Sequence, residues 1–237
     1  MCWFRIFWQL INLQMKNLLI LASALILMSC GTNKFLTSSV TPDEITELSY
    51  FEPISYIQYI EKGNKSMPSD SLSGITSYLL DSLFTKNKPG MKLSEEIVIK
   101  DKTQNAKVEK EIGDMAQLIM QKKKLDGIPL APAIDSIMES NNQRFALATV
   151  ATGFGRRKGN YGGQIAKGVG VGILTLGMVV PTPIKSNLTM YAFIFDSEKD
   201  QIAYYKRSLP VEKAPTDPDA LEKQLISLFN GYFYNKK

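Results

Sequence analysis

The sequence predicts an α/β (α+β) domain: a mixed sheet of about five strands with helices packed against it, in the order β-α-β-α-α-β-β-β-α. Three observations lead there. In some segments aromatic and β-branched residues crowd together as strands require, and in others apolar residues recur at helical spacing. The two kinds of segment alternate through the first half of the chain. In the second half, three strand-like runs follow one another before a final helix.

Residues 54–60 (ISYIQYI) are aromatic and β-branched, which suits a strand. Ser69 or Asp70 then caps a helix carrying Leu72, Ile75, Leu79, Leu80 and Leu83, which is predicted to end at the turn Lys88-Pro89-Gly90. Residues 96–99 (EIVI) form a short second strand. A second helix spans 106–121, with Val108, Ile112, Met115 and Ile119 on one face. Pro129 and Pro132 interrupt the chain, and 133–140 form a shorter helix with Ile134, Ile137 and Met138. Residues 144–152 (RFALATVAT) are a third strand. Two apolar, aromatic runs at 188–195 and 201–207 flank five polar residues, as a hairpin does. The last helix is opened by Asp217 as cap, Pro218 at its first position and Asp219 at the positive end of the helix dipole. Leu221, Leu225, Leu228, Phe229 and Tyr232 are its buried stripe.

Between the third strand and the hairpin lies an unusual insertion, residues 153–183. It begins with glycines and the basic triad Arg156, Arg157 and Lys158. It continues through an apolar, glycine-rich run that includes Val169, Val171, Ile173, Leu174 and Leu176, and closes on Pro181-Thr182-Pro183. The run is too short for a helical crossing, which takes about 20 apolar residues. Two readings stay open. The segment folds back on the domain, its glycines allowing close backbone contact. Alternatively, it faces a membrane surface or a partner through the triad and those apolar side chains.

The N-terminus is organised differently. Met15-Lys16-Asn17 is a short basic start, followed by the apolar run LLILASALILM at 18–28 and then Ser29-Cys30-Gly31. A basic region, a short apolar region and a small residue before the cut make a secretory signal. Residues 1–14 look unlike a signal start, so Met15 is read as the true initiator. The domains expected are a signal at 1–29, an anchor and tether at 30–49, and a globular domain at 50–237 that contains the insertion.

Leu27-Met28-Ser29-Cys30 resembles the lipobox of bacterial envelope lipoproteins. The resemblance implies cleavage between Ser29 and Cys30, diacylglycerol on the Cys30 sulfur and acylation of the new amine, so that the lipid bilayer is the first partner. Each buried CH₂ adds about 0.8 kcal/mol to such an anchor. An ordinary signal peptide or an uncleaved signal anchor is the plainer alternative. By the same resemblance Gly31, where inner-membrane retention usually has Asp, favours the periplasmic face of the outer membrane.

Composition limits the chemistry. The net charge of the 237 residues is +5, and the leader takes two basic residues, Arg5 and Lys16, away with it. That mild balance gives no ground for nucleic acid as a partner. Histidine is absent, and of the two cysteines only Cys30 lies outside the leader. Ser-His and Cys-His hydrolases and His-based zinc sites are thereby excluded. No catalytic residue, metal-ligand set or cofactor motif is identified. The glycines never give the Gly-Lys-Ser/Thr of a phosphate loop, and Gly159 falls one residue late for a dinucleotide fingerprint after Gly153 and Gly155. Asp196, Glu198 and Asp200 have the spacing of the first ligands of a calcium loop, but Arg207 stands at the twelfth position. They are read as a solvated turn. Glu95 and Glu96 are neighbours on a strand, so they point to opposite faces and make no acid–base pair by themselves.

The whole arrangement is similar to a group of envelope lipoproteins. A lipobox is followed by alternating strands and helices, FALATV at 145–150, a hairpin whose second strand carries IAYY at 202–205, and a terminal helix. This resembles the fold shared by the TolB N-terminal domain, the curli secretion lipoprotein and the lipoprotein activators of penicillin-binding proteins. The resemblance implies a membrane-anchored, non-enzymatic binding or assembly factor whose partner is another envelope protein or a cell-wall polymer. Two alternatives stand beside it: a carboxylate-dependent enzyme on cell-wall or glycan material, and a subunit of an oligomeric secretion pore.

Overall fold

The computed structural model describes residues 34–157, Gly159 and residues 184–234. Ser29, Cys30, Lys158 and most of the insertion, with Val169, Val171, Ile173, Leu174 and Leu176, lie outside the described residues.

The described strands are β1 (Leu36–Thr37), β2 (Leu48–Phe51), β3 (Ile54–Ile60), β4 (Ser66–Pro68), β5 (Leu93–Ile97), β6 (Phe145–Arg156), β7 (Asn187–Asp196) and β8 (Gln201–Arg207). The helices are α1 (Asp70–Met91), α2 (Lys102–Lys122), α3 (Pro132–Ser140) and α4 (Pro218–Phe229). The fold class is as predicted, a mixed sheet with helices against it. The strands run in the order β1-β8-β7-β6-β2-β5. β3 continues the line of β2 along β6 and pairs β4 on its other side. β2, β3, β5 and β6 are parallel, while β1, β7 and β8 are joined antiparallel.

The helices cover both faces. On one, Leu80 and Phe84 of α1 and Leu221, Leu225 and Phe229 of α4 pack on Leu147, Ile194 and Tyr204. On the other, Val108, Ile112, Ile119, Ile134 and Ile137 of α2 and α3 pack on Ala146, Ala148, Phe193 and Phe195. β6, buried from Phe145 to Ala151, is the centre of both cores, because its alternate residues feed opposite faces.

Local signals set the helix ends. Ser69 Oγ accepts from Leu72 N–H, Asp101 from Thr103 and Gln104, and Asp217 from Asp219 and Ala220. Such a cap contributes about 1 kcal/mol. α3 has no side-chain cap of its own. The carboxylate of Glu111 on α2 replaces it, accepting from Ala133 at 2.9 Å and Ile134 at 3.2 Å.

Several expectations are corrected. Three short strands, β1, β2 and β4, join the five expected, which makes eight among the described residues. β1, β2 and β4 are too short to show a period, and β2 is buried throughout. The globular body begins before residue 50: β1 pairs with β8, and Val40, Ile45 and Leu48 are in the core. Lys88-Pro89-Gly90 is not a turn. α1 runs through it to Met91, whose burial holds the last turn in place, and Lys92 ends the helix in the left-handed region. Gly90 packs closely there, since a Cβ would lie 3.0 Å from the Tyr234 ring and hydroxyl.

The insertion also starts later than 153. Gly153, Phe154, Gly155 and Arg156 are the end of β6 and pair with β3. A Cβ at Gly153 would lie 2.0 Å from the Asn187 carbonyl oxygen, so glycine is required by the approach of β7. The acidic hairpin turn is exposed at Glu198, Lys199 and Asp200, as expected, but it is tied to the body at both ends. Asp196 is fully buried, and Arg144 bridges it and Glu198 at 3.2 and 2.9 Å. Asp200, at φ 45°, accepts from Leu130 N–H at 2.9 Å. Asp200 thus takes the left-handed conformation that a turn more often gives to glycine.

Candidate functional site

The strand that borders β6 is interrupted. Tyr50 pairs with Leu147 and Ile54 with Val150, so the β2–β3 side carries one residue more than β6 does. The irregularity falls at Glu52-Pro53, where a proline without an N–H breaks the ladder. At this point the outer neighbour changes too. β5 accompanies the strand as far as Phe51, and β4 joins it only at Gln58.

A cleft of about 280 Å³ opens in that gap, between the first turns of α1 and α2. It lies beyond the carboxyl ends of the parallel strands β2 and β5, the usual place for ligands in α/β sheets. Its walls carry Glu52, Glu96 and Glu109 with Ser55, Ser73 and Ser77, and no lysine or arginine. Glu109 is engaged: the Tyr56 hydroxyl donates to it at 3.3 Å and Asn105 Nδ2 at 3.0 Å. Burial, then the charges of Asp81 and Glu52, pushes the Glu96 carboxyl above its ordinary value. Burial and the neighbouring Glu109 push the Tyr56 phenol upward.

Two further details belong to the cleft. Ser55 Oγ is buried with no hydrogen-bond partner among the described residues. Gly74 sits inside α1, where glycine costs about 1 kcal/mol relative to alanine. A Cβ there would meet nothing within 4 Å, so neighbouring side chains do not require a glycine. Among the described residues no cluster of carboxylates is arranged to hold a metal ion.

Sequence reasoning did not find this site. Glu95 and Glu96, expected to make no acid–base pair by themselves, are both exposed, and a bulge sets Leu48 opposite Leu93 and Tyr50 opposite Glu96. Only Glu96 reaches the cleft. Of the basic triad, Arg156 is half-buried at the end of β6, with its guanidinium 5.8 Å from the Phe154 ring, and Arg157 is exposed. The two are not brought to the cleft. No helix among the described residues is long and apolar enough to cross a membrane.

No protein-family profile and no curated protein matches the chain. Among solved structures, a point-substituted variant of the PelC dodecamer from Paraburkholderia phytofirmans is similar at 8% identity and a TM-score of 0.39, over 86% of this chain and 100% of that one. The PelC dodecamer from the same organism gives 4% identity and a TM-score of 0.40, over 85% and 96%. The LpoB C-terminal domain from Salmonella enterica gives 8% identity and a TM-score of 0.29, over 75% and 88%. At these values the likenesses carry no argument about this chain.

Proposed function

We propose that the chain is a lipid-anchored protein of the bacterial cell envelope that works by binding another envelope component, as an accessory or assembly factor. The observation that carries the reading is Leu27-Met28-Ser29-Cys30 directly after a short basic and apolar leader. A thioether lipid at Cys30 holds a water-soluble body at the bilayer, and Gly31 directs it to the periplasmic face of the outer membrane. The cleft beside Glu52 and Glu96 is the contact for the bound component. Arg156, Arg157 and Lys158, with Val169, Val171, Ile173, Leu174 and Leu176, form a second contact, to lipid head groups or to the partner. Replacement of the acylated residue tests the anchor. Cys30→Ala is expected to move the protein from the membrane fraction to the soluble fraction; unchanged membrane association contradicts the proposal.

One observation favours a second reading, a carboxylate-dependent enzyme on cell-wall glycan. Glu52 and Glu96 share one cleft, and Glu96 holds its proton more tightly than an ordinary glutamate. General acid–base chemistry uses such a pair. Release of soluble glycan by the parent protein, abolished in Glu96→Gln, would establish that reading in place of simple binding.

A further inference from the structure

The gap in the sheet leaves backbone groups facing a cleft. On the open side of β3, Ile57 is already satisfied: its N–H donates to Ser73 Oγ at 3.0 Å, and its carbonyl accepts from Ser69 N–H at 2.9 Å. Strand backbone groups alternate in direction, so the N–H and C=O of Ser55 point the same way as those of Ile57. No described strand lies beside them, because β5 has ended at Ile97 and β4 has not yet begun. An unpaired N–H and C=O on a sheet edge is a template for another chain.

The charges around this edge are of one sign. Glu52 and Glu96 have no hydrogen bond or ion pair with any described residue. Glu109 stands beside them, and no cation lines the walls. Two carboxylates that repel one another beside an open strand edge fit a ligand with a backbone and a positive side chain. A sugar polymer could supply the charge but not the paired amide groups.

We propose that this gap is a docking slot for an extended, basic peptide segment of a partner protein. The segment adds to the edge at Ser55 through its own N–H and C=O, and its Lys or Arg side chain lies between Glu52 and Glu96. This is β-augmentation, with charge-assisted hydrogen bonds supplying the selectivity. The open space over Gly74 gives the peptide room along α1.

The inference rests on the binding reading above, and its test does not use the lipid. The full chain in non-ionic detergent is titrated against a fluorescent octapeptide of alternating Lys and Thr, acetylated and amidated, and anisotropy is read. The comparison probes are the same peptide with Glu for Lys, and a glucosamine oligomer of equal charge. The Lys peptide is expected to bind and the Glu peptide not to bind. The double variant Glu52→Gln/Glu96→Gln should weaken binding about ten- to hundredfold, the range of a lost charge-assisted hydrogen bond. Gly74→Leu, which fills the slot from a helix position with free space, should abolish binding without lowering the melting temperature. Glu47→Gln, at an exposed residue just before β2, should bind as the parent does. Equal binding of Lys and Glu peptides, full binding by Gly74→Leu, or a glucosamine oligomer that binds as tightly as the peptide would overturn the proposal. Cys30→Ala protein should bind the peptide unchanged, so failure of the slot and failure of the anchor are read separately.

Discussion

On one side of β6 lie the next two strands of the chain. β7 pairs with it from Phe145 to Phe154, β8 pairs with β7, and the faces are filled by Phe193, Phe195, Tyr204 and Tyr205. On the other side β6 is met by β2 and β3, which come from far earlier in the chain and are broken at Glu52-Pro53. The first half is closed, and its aromatic rings pack on one another, with Phe193 and Phe195 stacked 5.9 Å apart and Phe193 and Tyr205 tilted 5.0 Å apart. The second half has a gap flanked by carboxylates. The contrast teaches a division of labour: an unbroken run of consecutive strands holds the body together, and strands gathered from a distance leave the opening where binding chemistry sits.

The largest expected effect breaks the closed half. Phe193→Ala removes a fully buried ring and should cost about 3–5 kcal/mol of stability, read by chemical denaturation. Next comes the boundary between the halves. Gly153→Val puts side-chain atoms against the Asn187 carbonyl and should cost about 1–3 kcal/mol or prevent folding. An unchanged midpoint would mean that β6 does not press on β7 there.

The open half should respond in the other direction. Gly74→Ala is expected to stabilise by about 0.5–1 kcal/mol, since helix propensity improves and nothing is displaced. A loss of stability would show that the space over Gly74 is not free.

The smallest effect depends on pH. Folding raises the Glu96 pKa, so the folded protein holds that proton more tightly than the unfolded chain. This favours the fold below the ordinary glutamate range, and the benefit is lost as pH rises through the raised value. Glu96→Gln should therefore melt slightly above the parent at neutral pH, and the advantage should vanish in acid. A difference independent of pH would remove the electrostatic account of the cleft.

The closed half was legible from residue patterns. The hairpin at 188–207, the Asp217-Pro218 helix start and the stripe of α2 carry local signals and are where those signals put them, while the stripe of α4 stops at Phe229 and Tyr232 is buried in the turn beyond. The open half was not. β2 is four buried residues with no alternation, and β4 is three exposed ones. Pro89 and Gly90 read as a turn because local preference favours one, but the burial of Met91 prevails. The cleft assembles Glu52, Glu96 and Glu109 from three separate elements, and a bulge in β5 alters which way Glu96 faces. No local pattern marks residues that meet only through the sheet.

Backbone amide hydrogen exchange on the full chain, with and without the Lys-Thr peptide, tests the contrast most directly. The account predicts slow exchange at Phe193 and Ile194, fast exchange at Ser55 in the free protein, and protection at Ser55 when the peptide is added. Exchange at Ser55 as slow as at Phe193 in the free protein, or no change there with saturating peptide, would contradict it.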